Sequence, residues 1–320
     1  MLNRIYFFFL MLLGLTLNVR ADVPSVVVTL KPVHSLVAGV MSGLKAPTLL
    51  LSGEGSPHTQ LLTPLEVRQI KAADVVVWVG PSYETPLQGI MGSLKNCQHV
   101  ITLMNKPGMI LYRVRQGGMW GRHSHHSPSK ENCGHADHCH EQGDFPMTDG
   151  HLWLDPENAK TIVRVIAREL GTLDPDHKEI YMENSEITIR RLNELDQELK
   201  QLLIPVINKP YVVYHDGTQY FDRHFKTKSI GVLIGDGHYG INAQHLLRIS
   251  KYIRAQKVRC VFTEPQFPID TIHSLLDKTR TRIEILDYLG IGLEADEDAY
   301  FFMMRNLANA FLRGLKDPNL

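Results

Sequence analysis

Two hydrophobic periodicities alternate along this chain. Short β-branched or continuous apolar runs at 25–30, 48–51, 74–79 and 100–103 read as buried strands. Between them, apolar residues three and four apart predict helices over 32–42 and 64–73, the second with Thr63 as its N-cap. The pattern lapses from 116 to 149, where Gly, Ser, His, Asp and Asn dominate, and a segment this long with little to bury is expected to be mobile or functional. Helical spacing returns over 156–170 and again over 176–203. In the second of these, Leu192, Leu195, Leu199 and Leu202 form one apolar stripe. Pro205 and Pro210 end that helix. The remainder repeats the first half in outline, with strands at 211–214, 229–234, 258–263 and 283–286 and helices at 243–256, 269–280 and 297–315.

Strands that alternate with helices imply parallel sheets. The expected fold is therefore α/β, two (βα) lobes joined by a single long backbone helix, with a cleft between the lobes. The boundaries that follow are 22–170 for the first lobe, including a His-rich loop at 117–148, then 171–206 for the linking helix and 207–320 for the second lobe. Residues 1–21 stand apart. Arg4 precedes an apolar run over 5–17, and Val19-Arg20-Ala21 supplies a small-residue cleavage site, which predicts a removed export signal rather than a membrane anchor. No Cys follows that site, so no lipid anchor is expected.

Composition narrows the function. Lys plus Arg and Asp plus Glu both count 34, and no basic stripe occurs, so nucleic acid is not an expected partner. The outlying number is His, at 16, of which six lie between 123 and 140. These are His123, His125, His126, His135, His138 and His140, interspersed with Glu131, Asp137 and Glu141. Such a tract can bind metal loosely at several points. Export permits disulfides; Cys133 and Cys139 lie inside the tract, while Cys97 and Cys260 fall in different lobes with no evident pairing.

Three other histidines occupy similar settings. His58 follows a strand in Gly55-Ser56-Pro57-His58. His151 sits in Asp149-Gly150-His151-Leu152-Trp153-Leu154-Asp155-Pro156, and His215 ends a strand in Tyr214-His215-Asp216-Gly217. Loops at the carboxyl ends of parallel strands are where open α/β sheets place ligands. Spacing alone does not show that the three converge.

Those segments, with Lys31-Pro32-Val33-His34-Ser35-Leu36-Val37, Ala73-Asp74-Val75-Val76-Val77-Trp78-Val79-Gly80 and Thr263-Glu264-Pro265-Gln266-Phe267, carry a family resemblance over nearly the whole mature chain. The chain resembles the substrate-binding proteins of zinc ABC importers, the ZnuA type within the cluster of metal-binding receptors. The resemblance implies a periplasmic, monomeric protein that captures Zn²⁺ in the cleft with His58, His151 and His215 and delivers it to an inner-membrane ABC permease. It implies Asp287 or water as the fourth ligand, since the Glu some zinc members place before the first His is Pro57 here. Glu264 and His34 are implied to support the ligands, and the six clustered histidines to form an auxiliary, low-affinity loop. Manganese receptors of the cluster resemble this chain but have Glu where His215 stands, and three imidazoles favour Zn²⁺ over Mn²⁺. The family disulfide from the Cys260 position to the last helix has no partner Cys here, so Cys260 is expected as a free buried thiol.

Two other classes compete. A zinc enzyme also uses three protein ligands and a water, with Asp216 or Glu264 as a conceivable base, but no His-Glu-x-x-His or Gly-x-Ser-x-Gly motif is present. A metal-binding adhesin is the other, disfavoured by the absence of a lipid anchor.

Overall fold

The structure, a computed structural model, describes residues 22–52, 55–94, 98–120, 148–234, 243–267, 269, 272–273, 276 and 281–316. The six clustered histidines, Cys97, Cys133, Cys139, the export signal and most of the helix expected over 269–280 lie outside the described residues.

The first lobe is built on a four-stranded parallel sheet of β1 (Val26–Val28), β2 (Thr48–Leu49), β3 (Val75–Trp78) and β4 (His99–Thr102), in the order β2-β1-β3-β4. The second repeats this with β5 (Pro210–Val213), β6 (Lys228–Val232), β7 (Cys260–Thr263) and β8 (Arg282–Ile285), in the order β6-β5-β7-β8. Every residue of β1, β3 and β7 is buried, as expected of parallel strands covered on both faces. In each sheet the first strand is central and the chain crosses over it, so both lobes have a point where the strand order reverses.

The helices in chain order are α1 (Lys31–Val40), α2 (Pro64–Ala72), α3 (Gln88–Leu94), α4 (Pro156–Leu173), α5 (Lys178–Leu203), α6 (Gln219–Phe225), α7 (Ala243–Ala255) and α8 (Ala299–Leu315). Thr63 caps α2 in a reciprocal capping box with Glu66. Pattern reading missed α3 and α6. Both have only seven residues, too few for a helical period to stand out, and α3 carries two glycines.

Helix α5 runs 26 residues, or about 39 Å at 1.5 Å per residue. Its buried face carries Leu192, Leu195, Leu199 and Leu203; the stripe ends on Leu203, and Leu202 is only partly buried. It packs along α4 and also meets α1, α6 and α8. One continuous apolar core results, running from Val27, Val77 and Leu36 of the first lobe through Ile166, Leu195 and Leu199 to Tyr211, Phe262 and Phe311 of the second. A smaller core around Val212, Tyr214, Ile249 and Val261 fills the outer half of the second lobe. Among the described residues no helix is long and apolar enough to cross a membrane.

Candidate metal centre

The cleft lies at the carboxyl ends of both sheets. His58 follows β2 in a turn where the amides of Thr59 and Gln60 both donate to Ser56 O. His215 follows β5, Glu264 follows β7, and Tyr288 comes three residues after β8. His151 precedes a short turn, Leu152–Leu154, that leads into α4 through the N-cap Asp155. Pro156 at the first helical position fixes that start.

These elements bring the three histidines together. Ring centroids are 5.4 Å apart for His58 and His151, 5.4 Å for His58 and His215, and 5.0 Å for His151 and His215. One nitrogen from each lies within 4.8 Å of the others. A tetrahedral ion with bonds of ~2.0–2.1 Å needs nitrogens about 3.4 Å apart, so modest closure would seat it.

Hydrogen bonds select the nitrogen that His151 and His215 present. Oδ1 of the buried Asp149 accepts from the His151 amide at 3.0 Å and stands 2.8 Å from its Nδ1. Nε2 of His151 is then buried and has no hydrogen-bond partner among the described residues. Glu264 Oε1 is 2.7 Å from Nδ1 of His215, and the Tyr288 hydroxyl is 2.9 Å from the same nitrogen. With Nδ1–H directed at a carboxylate in both rings, the lone pair is on Nε2.

Electrostatics oppose burial here. Burial alone would lower the His215 pKa, but Glu264, followed by Asp216 and Asp149, raises it above the usual imidazole value. Burial pushes the Asp149 carboxyl up; His151 and the Gln219 amide outweigh this and hold it low. Around the rings stands an aromatic wall. Tyr83 lies 4.3 Å from His58 and 4.9 Å from His151, with Trp153 5.7 Å from His151. Such a shell excludes water and lowers the local dielectric.

Asp287 stands outside the three-ring group. Its Oδ1 accepts the Leu289 amide at 3.2 Å, and its charge acts on Lys31. In the turn after β8 it is the next residue, Tyr288, that reaches His215. His34 also lies apart from the rings: it is buried in α1 with Nε2 3.0 Å from Pro47 O. Glu264 is held on Oε1 by His215 and on Oε2 by Gln266, whose amide donates at 2.6 Å. Asp216 is bound by Arg115 through both carboxylate oxygens. Trp153 is fully buried and joins the lobes, donating to Tyr288 O at 3.0 Å. Cys260 is a free, buried thiol on β7.

Sequence reasoning did not assign Asp149, Tyr83, Tyr288 or Arg115. Only Asp149 had a local signal, an Asp two residues before a histidine with Gly between.

Comparison with known proteins places the chain in a family. Residues 26–314 match the family model described as zinc-uptake complex component A, periplasmic. The high-affinity zinc uptake system protein ZnuA of Brucella abortus is 35% identical over 302 residues, covering 89% of this chain and 90% of that protein. Its namesake from Yersinia pestis is 29% identical over 295 residues, 91% of each chain. Among solved structures, a zinc-bound deletion mutant of ZnuA superposes with a TM-score of 0.73 at 22% identity, covering 92% of this chain and 99% of that one, a likeness of fold. The chain belongs to the ZnuA family of periplasmic zinc-uptake components.

Proposed function

We propose that this protein is the periplasmic Zn²⁺ receptor of an ABC importer, and that it catalyses nothing. It takes zinc in the cleft on Nε2 of His58, His151 and His215 and hands it to the inner-membrane permease as a monomer. The observation that carries this is the convergence of three imidazoles, two of them with Nδ1 on a buried carboxylate. That arrangement fixes the ring tautomer and raises ligand basicity. Water fills the fourth position in this reading, because Asp287 lies outside the group the three rings form and its Oδ1 accepts the Leu289 amide. Of the two candidate bases, Asp216 is clamped by Arg115 and Glu264 is directed at His215, engagements that favour the receptor reading over a zinc enzyme.

Native mass spectrometry of the mature protein with zinc, beside His215→Glu with zinc and manganese, tests the reading. One tightly held zinc in the wild type and a shift toward manganese in the variant are expected. A wild type that holds no zinc at this site refutes it.

The histidines at 123, 125, 126, 135, 138 and 140 form, in this proposal, a separate low-affinity collecting tract. Deleting 121–147 keeps the residues through Trp120 that pack on the second lobe. Uptake at limiting zinc should fall while the affinity of the cleft stays the same; unchanged uptake removes the collecting role.

A further inference from the structure

Residues 110–120 leave the first lobe and lie on the second. At the start, Ile110 is held to α4 by paired bonds with Asn158, 2.7 Å from its amide and 2.9 Å to its carbonyl. The Tyr112 amide then donates to the Tyr220 hydroxyl at 3.1 Å, and the Gln219 amide donates to Arg113 O at 2.9 Å, both partners lying on α6. At the far end Met119 packs on β6 where Gly231 has no side chain; a Cβ there would come 2.7 Å from Cβ of Met119. The strap is thus pinned to both lobes.

Arg115 is its polar anchor. Nε donates to both oxygens of Asp216, at 3.0 and 2.9 Å, and Nη2 donates to Asp216 as well. Nη1 donates to Asp222 at 3.0 Å and to Ser229 at 2.7 Å. The guanidinium also lies over the Trp120 ring, 3.7 Å from its centroid. With only 17% of its side chain exposed, it is held along its edges by hydrogen bonds and on one face by Trp120. A fork of this kind fixes geometry as well as charge.

What it fixes is the turn that carries His215. Asp216 is the next residue, and the Gly217 amide closes the turn onto His215 O at 2.9 Å. On the other side, Glu264 holds the ring itself. The same strap reaches the carboxylate residue that supports His151, because the Asp149 amide donates to Tyr112 O at 2.8 Å. One segment therefore braces the residues behind both His151 and His215.

We propose that Arg115 is a positioning residue of the metal site, setting the place of His215 through its clamp on Asp216 while touching no ligand ring. This rests on the receptor reading above. The test uses the whole mature protein, with zinc affinity read by chelator competition and Co²⁺ as a spectroscopic probe of ligand geometry. Arg115→Met should lose about tenfold or more in zinc affinity, the scale of outer-partner losses at metal sites, and should change the visible Co²⁺ spectrum. Arg191→Met, which breaks a remote ion pair with Asp298 over Phe301, should alter neither. Should Arg115→Met fail to fold, Asp216→Asn opens the same clamp from its other end and leaves Arg115 on Asp222 and Ser229, with the same expected loss. Wild-type affinity and spectrum in the folded variant overturn the proposal alone. A wild-type protein that binds no zinc overturns the receptor reading as well.

Discussion

Glu264 Oε1 stands 2.7 Å from Nδ1 of His215; Glu264 lies one residue past the end of β7 and His215 two past the end of the neighbouring β5. The carboxylate is only 3% exposed, so the bond is shielded from competing water. Its removal should free the ring to rotate and leave its tautomer unset. Glu264→Ala is expected to weaken zinc by about 10- to 100-fold, the usual range for such partners. Competition with a chromophoric chelator reads this directly, and an unaltered affinity would show that the carboxylate does not orient the ligand.

Asp287 offers the contrasting case. Its carboxylate caps the Leu289 amide and faces Lys31, so Asp287→Asn should leave zinc affinity unchanged. His151→Ala, by comparison, should abolish tight binding. A loss in Asp287→Asn matching that of His151→Ala would place Asp287 in the coordination sphere.

The strands and long helices were legible because their signals are local. Val75–Trp78 is an uninterrupted apolar run, and the α5 stripe repeats at three and four residues. The three histidines could be nominated from their loops, but their convergence depends on two sheets meeting across α5, which no spacing encodes. The supporting groups were harder still. Tyr83 reaches His58 and His151 from the end of β3, and Arg115 reaches Asp216 across the lobes, so their roles exist only in three dimensions. Asp287 and Tyr288 show the limit most sharply: adjacent residues on one turn, and the direction each takes was not written in the residue type.

Gly150 packs its backbone against Tyr83. A Cβ there would lie 2.7 Å from Cδ2 and 2.8 Å from Cγ of the ring, and would also meet Cβ of Tyr83. Tyr83 is itself wedged against His58, His151 and Trp153, so it has little room to yield. Gly150→Ala should therefore displace His151, costing about 1–3 kcal/mol in stability, as overpacking does, together with a loss of zinc affinity. Urea unfolding and zinc titration check the two effects, and a variant unchanged in both would mean the contact is soft.

Zinc capture should be acid-sensitive. The imidazoles must be neutral to bind, so protons compete with the ion. Because Glu264, Asp216 and Asp149 raise the His215 pKa, competition should begin above the ordinary imidazole value of about 6.5. Affinity should be highest at mildly alkaline pH and fall steadily on acidification, with proton uptake on release. Calorimetry in buffers of different ionisation enthalpy measures the protons exchanged, and an affinity flat from about pH 7.5 down to 5.5 would count against an all-imidazole site.

A second histidine titrates for structural reasons. His224 on α6 places Nε2 2.6 Å from Asp196 of α5 and Nδ1 3.0 Å from Asp155, the N-cap of α4. Two carboxylate partners require both nitrogens to carry protons, so the ring is cationic when the tie is made. Burial lowers its pKa, but the bonds to Asp155 and Asp196 prevail and raise it above the ordinary value. A histidine raised on folding contributes stability that is full below its unfolded pKa, about 6.5, and is lost as pH rises through the folded value. The tie links the second lobe to both helices behind the cleft, so it should be strongest under the acid conditions that release zinc. His224→Gln should therefore cost about 2 kcal/mol near pH 6, the scale of a charged hydrogen bond, and progressively less toward pH 9. Urea unfolding of both proteins across that range gives the difference, and a penalty that grows with pH would mean that His224 is neutral in the folded protein.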